Sequence, residues 1–166
     1  MPPELHPDLE ALAPLLGTWT GRGEGFYPTI QPFEYVEEVV FSHAGKPFLA
    51  YTQKTTAVAD GRPLHAEAGF LRAPAPGGVE LILAHPSGIT EIEVGTFSVD
   101  GGRIDIEMST AGGAGGSVGL APTAKEVTAL ARAFRIEGDE LSYTLRMAAV
   151  GQPLQDHLTA VLRRRR

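Results

Sequence analysis

The stretch Gly17-Thr18-Trp19-Thr20-Gly21-Arg22-Gly23-Glu24-Gly25-Phe26-Tyr27-Pro28-Thr29-Ile30, followed by Gln31-Pro32 and Phe33-Glu34-Tyr35-Val36-Glu37-Glu38-Val39-Val40-Phe41, decides the fold. Side chains of a strand alternate faces with period two. Gly17, Gly21, Gly23 and Gly25 therefore share a face with Trp19, the single tryptophan of the chain. Glycine weakens a strand interior, so a row of it on one face marks a sharp barrel bend, or a wall kept flat so that something bulky can lie against it. Glu37 and Glu38 are neighbours, point to opposite faces and so do not form a carboxylate pair.

Working outward, residues 8–16 carry the one helical signal. Asp8 can cap, Leu9, Leu12, Leu15 and Leu16 lie near one face, and Gly17 stops the turn. The segment is too short to stand alone and is expected to plug one end of the strand assembly. Strands are expected near 17–26, 33–42, 48–58, 63–72, 78–85, 89–98, 102–109, 115–137 (broken once), 139–150 and 156–164, separated by Gly-, Pro- and Asp-rich turns. Links this short join antiparallel neighbours. The expectation is an all-β, ten-stranded antiparallel up-and-down β-barrel with a short N-terminal helix, residues 1–166 forming one domain. Alternation is clear at Leu141, Tyr143, Leu145 and Met147, and at Ile104, Ile106 and Met108. In 89–95, Ile89, Glu91, Glu93 and Gly95 lie opposite Thr90, Ile92 and Val94. One buried and one wet face is what such a barrel requires. Small residues (Gly21, Gly23, Ala50, Ala66, Ala68, Gly69, Ala129, Ala131, Ala133) are expected to leave an unfilled apolar interior, a ligand pocket by default. Ala111 to Gly119 reads as a low-complexity mobile loop.

A formal charge of -6 argues against a nucleic-acid partner or an acidic membrane surface. Arg163 to Arg166 form the only basic run and read as a solvated tail. The absence of cysteine excludes disulfides, thiolate-ligated zinc, iron–sulfur clusters and thiolate haem. Met1 to His6 lack a secretory pattern and no apolar run spans a membrane, so the expected compartment is the cytoplasm.

Histidine is then the informative residue type. His6 reads as solvated, and His43 and His85, each before a turn, read as local hydrogen-bonding groups. No pair carries zinc spacing such as His-Glu-x-x-His, and no phosphate cradle, Gly-x-Ser-x-Gly elbow or dinucleotide fingerprint is present. His157 lies inside the last strand, sharing a face with Thr159 and Val161. It is either a hydrogen-bonded core residue or a ligand. His65 alternates onto one face with Glu67 and Gly69, which reads as a His–Glu pair on the outside of the barrel. Thr29 reads as a turn hydroxyl, Lys125 as a lysine at a strand start and Met147 as core filler.

The pattern Gly-x-Trp-x-Gly-x-Gly at 17–23, Tyr-Pro-Thr-Ile at 27–30 and Phe-x-Tyr-x-Glu-Glu at 33–38 resembles the nitrobindins. These are haem-binding ten-stranded β-barrels distantly similar to lipocalins and fatty-acid-binding proteins. The likeness continues through Gly45-Lys46-Pro47, Tyr51-Thr52-Gln53-Lys54, Leu64-His65-Ala66-Glu67-Ala68-Gly69 and Gln152-Pro153-Leu154-Gln155-Asp156-His157-Leu158. It covers residues 9 to 163. The resemblance implies haem b as cofactor, with His157 as the proximal iron ligand held through its other ring nitrogen by a carbonyl or carboxylate. It places His65 and Met147 at the pocket, Thr29 beside the haem and Lys125 where it can pair with a propionate. It implies a ferric haem that binds nitric oxide and converts peroxynitrite to nitrate, with no nucleic-acid or membrane partner; a homodimer is compatible with it. A carrier of a small apolar ligand and a nitric oxide sensor module are the alternatives from other classes.

Overall fold

The computed structural model describes residues 1–111 and 115–166. After a 3₁₀ helix at Pro7–Leu15 come eleven strands: β1 (Gly17–Tyr27), β2 (Ile30–Ser42), β3 (Leu49–Ala57), β4 (Pro63–Arg72), β5 (Gly78–His85), β6 (Ile89–Asp100), β7 (Arg103–Ser109), β8 (Ser117–Leu120), β9 (Val127–Glu137), β10 (Glu140–Ala149) and β11 (Gln155–Arg164). Every pairing is antiparallel. Ten strands close the ring in the order β1–β2–β3–β4–β5–β6–β7–β9–β10–β11, with β11 returning to β1. The ten-stranded antiparallel barrel with one short helix is as expected.

β8 is the addition. It pairs with the first half of β6 (Ile92↔Ser117 to Ile89↔Leu120), while β7 pairs with the second half (Val94↔Ser109 to Asp100↔Arg103). β8 thus resumes the wall where β7 leaves it. Ser117–Gly119 are strand and not part of a mobile loop, because their backbone finds the free edge of β6; residues 112–114 lie outside the described residues. No helix among the described residues is long and apolar enough to cross a membrane.

The N-terminal helix closes one end. Leu9, Leu12 and Leu15 are fully buried against Trp19, whose indole N–H donates to the Leu15 carbonyl at 2.8 Å. The helix is of the 3₁₀ kind, with proline at its start and Pro14 inside, where proline cannot sustain an α-helical ladder. The cap is His6, which accepts from the Asp8 N–H at 3.2 Å; Asp8 is in the first turn. His6 therefore has a structural partner and is not a free tail residue. Nor is the terminal arginine run a free tail. Arg164 lies 4.3 Å from the Trp19 ring centroid and donates to the carbonyls of Leu16 and Pro14, clasping the helix to the barrel.

Along β1 the inward face runs Trp19, Gly21, Gly23, Gly25, Tyr27. The glycines are kept small by the next strand. A Cβ on Gly23 would overlap the Tyr35 ring, and one on Gly25 the Phe33 ring, both borne by their cross-strand partners. Rings laid over glycines in this way pin register and bend the wall. Ala50, Ala66, Ala68, Ala129, Ala131 and Ala133 alternate with buried residues and face outward, so of the expected small residues only Gly69 and the β1 glycines lie on the inward face.

The interior is layered. On β2 the inward sequence is Phe41, Val39, Glu37, Tyr35, Phe33; on β9 it is Ile136, Phe134, Arg132, Leu130. An apolar layer under the plug gives way to a polar belt, and the belt to a cavity. On β6 the face with the two glutamates turns inward: Glu91 and Glu93 are buried, while Ile92 is among the exposed large apolar residues. Arg132, Glu67 and His85 meet them inside, which is why two carboxylates can occupy the inner face.

Candidate functional site

Above the belt the barrel opens into a cavity of about 1270 Å³. This is at or beyond the upper end of ordinary small-molecule sites, roughly 300–1,000 Å³. Phe26, Ile30, Phe33, Leu130, Leu145, Met147 and Leu158 supply its apolar walls. His157 also lines it, for a reason alternation does not reveal. Ala160 and Leu162 are the inward residues of β11, so strict alternation sends His157 outward with Val161. Between Leu145↔Leu158 and Arg146↔Asp156 the ladder slips by one residue, and the residue left over is His157. This β-bulge re-aims its side chain into the cavity.

The ring is then fixed. The β1–β11 ladder ends at Gly25↔Leu158, and the carbonyl of Phe26 lies 2.9 Å from His157 Nδ1. A carbonyl only accepts, so Nδ1 carries the proton and Nε2 the lone pair. Nε2 has no hydrogen-bond partner among the described residues. The Tyr27 ring meets the imidazole edge-on at 5.4 Å, and the Tyr27 hydroxyl is itself held by the backbone N–H of Ala149 at 2.9 Å. Burial lowers the pKa of His157 below that of free histidine; the Phe26 bond opposes this and neighbouring His65 adds to it. The neutral, ligating form therefore persists to lower pH than in a free imidazole.

The other expected residues fall in different places. Met147, His65 and Lys125 line the cavity, Lys125 from an exposed position two residues before β9 and without an ion pair among the described residues. Thr29 sits exposed in the turn between β1 and β2, outside the lining, though Phe26 and Ile30 on either side belong to it. His65 is not on the outside of the barrel: it shares the interior with Glu67, 3.5 Å away. His43 keeps its local role, accepting from the Gly45 N–H at 3.3 Å.

His85 is the larger correction. It is no turn-side polar group: its side chain is 7% exposed, with Nε2 at 2.6 Å from Glu91 and Nδ1 at 3.0 Å from His65 Nε2. It belongs to the belt, which sequence reading missed. Arg132 stands at the belt's centre, 2.9 Å from Glu67, 2.6 Å from Glu91 and 2.8 Å from Glu93. The Glu93 contact lacks hydrogen-bond alignment, and both Glu93 oxygens are unpartnered. Burial, opposed by Arg132 and reinforced by Glu91, pushes Glu93 up to about 8. Burial also disfavours ionised Glu67 and Glu91, but Arg132 and the histidines outweigh it and hold both below the usual carboxylate range. A second group joins Glu37 to Gln53 at 2.6 Å and to Tyr143 at 3.0 Å, with Tyr35 2.7 Å from Tyr143; burial raises Glu37 to about 7. The signal available in sequence was placement: Glu37 alternates with Tyr35 and Val39, and Arg132 with Leu130 and Phe134.

The donor set fits haem: one oriented neutral imidazole with a free nitrogen, among aromatic and aliphatic walls, with a lysine at the rim. A closed antiparallel barrel with such a cavity is a haem-binding barrel. The chain belongs to the family described as the THAP4-like, heme-binding beta-barrel domain, which matches residues 8–164 and has haem as its cofactor. A protein of Mycolicibacterium paratuberculosis named peroxynitrite isomerase 1 is 72% identical over 166 residues, covering both chains in full. One of the same name from Mycobacterium tuberculosis is 71% identical over 163 residues, 98% of each chain. The crystal structure of Rv2717c from M. tuberculosis superposes with a TM-score of 0.95 at 71% identity, covering 98% of this chain and 100% of that one.

Proposed function

We propose that this protein holds ferric haem b through His157, isomerises peroxynitrite to nitrate and binds nitric oxide at the same site. The observation that carries the reading is the bulge-borne imidazole, fixed by the Phe26 carbonyl with Nε2 available at the cavity wall. The names of the relatives over 70% identical support the choice of substrate. When bound, haem supplies a redox-active iron that takes small nitrogen–oxygen ligands. His157 ligates it, and the Phe26 carbonyl orients the ring and increases its donor strength. Phe33, Leu145, Met147 and Leu158 exclude bulk water from the reacting face. Lys125 offers a cation to a propionate at the rim, and His65 presents a polar edge from the opposite wall. Conversion of peroxynitrite to nitrate is an isomerisation, so no co-reactant is needed and none of these side chains must gain or lose a net proton.

The test is a hemin titration read at the Soret band, followed by stopped-flow decay of peroxynitrite. The wild-type chain should give a histidine-ligated ferric spectrum and accelerate the decay. His157→Ala should lose both while keeping a β-rich circular dichroism spectrum. Binding should hold below pH 6.5, where free imidazole protonates, because burial lowers the His157 pKa. An unchanged Soret maximum and affinity in His157→Ala would remove His157 from the site, and wild-type protein without a Soret band would favour a carrier of apolar ligands.

A further inference from the structure

The belt contains a constellation that haem ligation does not use. His65 and Glu67 lie two residues apart on the inward face of β4, and His85 stands at the end of β5, where the register beyond Ala68↔Ala84 places it opposite Glu67. His65 Nε2 and His85 Nδ1 are 3.0 Å apart. Glu67 Oε2 is 3.5 Å from the first and 3.4 Å from the second. Ligands at about 2.0–2.2 Å from a tetrahedral zinc ion stand roughly 3.3–3.5 Å from one another. The two edges to Glu67 are already at ligand spacing, and the His–His edge, now a hydrogen bond, is a few tenths of an ångström shorter.

What surrounds it points the same way. His85 Nε2 meets Glu91 at 2.6 Å, the arrangement in which a carboxylate fixes a metal-ligating imidazole with its other nitrogen free. Glu67 Oε1 accepts from Tyr51 at 2.6 Å and from Arg132 at 2.9 Å, which secures that oxygen; Oε2 takes only a long bond from Arg132, at 3.4 Å, and faces the histidines. Glu67, Glu91 and Glu93 set three carboxyl groups against the one guanidinium of Arg132, and Glu91 and Glu93, 1% and 0% exposed, keep three oxygens without any donor. With neutral histidines this set is short of one positive charge while Glu93 holds its proton and of two once Glu93 ionises, so a cation is favoured there. The β4–β5 ladder ends at Ala68↔Ala84, and a second pocket of about 560 Å³ lies there, with Glu38, Lys54, Glu67 and His85 among its lining.

We propose that His65, Glu67 and His85 bind one divalent cation of the zinc class, with two nitrogen ligands and one carboxylate oxygen, leaving a coordination position open to the cavity. Glu91 positions His85 and is not itself a ligand. The site stands whether or not the cavity holds haem.

The probe is zinc chloride. The purified protein is stripped with EDTA, dialysed to equilibrium against micromolar zinc, and its zinc measured by plasma mass spectrometry. One zinc per chain is expected. Half-exposed His65→Ala should fold, as checked by circular dichroism, and lose the zinc. Glu91→Gln should bind about 10–100-fold more weakly, and His43→Ala should bind as wild type. No zinc on the wild-type chain, or equal zinc on His65→Ala, would overturn the proposal. Zinc content is blind to haem iron, so failure here leaves the hemin titration standing, and the converse.

Discussion

The two ends of this barrel are built from the same strands and by opposite rules. Under the plug, Leu9, Leu12, Leu15, Trp19, Ile104, Leu141 and Leu162 are at most 2% exposed and contain one polar atom that needs a partner, the indole nitrogen, which has it. In the belt, Glu37 on β2, Glu67 on β4, Glu93 on β6 and Arg132 on β9 are almost as deeply buried, and several of their atoms have no hydrogen-bond partner. One end is stabilised by area removed from water. The other is held together by charge compensation, and unsatisfied groups persist there. The lesson is a division of labour: the closed end supplies stability, and the belt and cavity use some of it to keep reactive groups out of water.

The sharpest way to break this comparison is Arg132→Leu. It leaves Glu67 and Glu91 buried without their cation, and should destabilise by about 3–5 kcal/mol in urea unfolding. A loss below about 1 kcal/mol would mean that the carboxylates are neutral already and that the belt is not ionic. A middling effect is expected from Gly23→Ala, about 1–3 kcal/mol, because the new Cβ must displace the Tyr35 ring. The Gly23→Ala increment should be smaller in a Tyr35→Ala background; if it is not, the glycine serves backbone curvature alone.

The smallest effect is a pH slope. Glu93 and Glu37 have folded pKa values raised to about 8 and about 7, above the ordinary carboxylate value of 4.5. Between pH 4.5 and 8 the folded chain therefore binds more protons than the unfolded one, and stability falls as pH rises. Glu67 and Glu91, held low, act in the opposite sense below 4.5, and lowered His157 acts only up to about 6.5. In EDTA, the unfolding free energy from urea titrations should fall from pH 6.5 to 8.5 by an amount on the order of 1 kcal/mol. Glu93→Gln should flatten the fall. A flat wild-type profile would make the belt as indifferent to pH as the plug.

The ring of strands was legible because period-two alternation and short turns are local signals, and they carry through Leu141–Met147 and Ile104–Met108 without interruption. β8 was not, since four residues of Ser-Val-Gly-Leu have no pattern of their own and become a strand only because β6 has an open edge. The plug was visible in its leucines, while its 3₁₀ form is dictated by Pro14, which interrupts the α-helical ladder. His157 shows the limit of alternation: its neighbours Ala160 and Leu162 predict an outward ring, and a one-residue slip against β10 reverses it. The same holds for Glu91, Glu93 and His85. Their burial depends on Arg132, about 40 residues away in the chain, and no reading of β6 alone finds that partner.

The bulge histidine and the carbonyl that holds it lie on β11 and β1, 131 residues apart. These two strands are also the pair that seals the ring. A contact so distant in sequence is late to form and slow to find, because the entropy of closing the intervening loop must be overcome before the contact repays it. The His157 geometry thus cannot exist in a partly assembled sheet. Ring closure and ligand orientation are one kinetic event, so an incomplete chain emerging from synthesis does not present the finished site. Under the ligation by His157 proposed above, cofactor capture would be timed to the final strand.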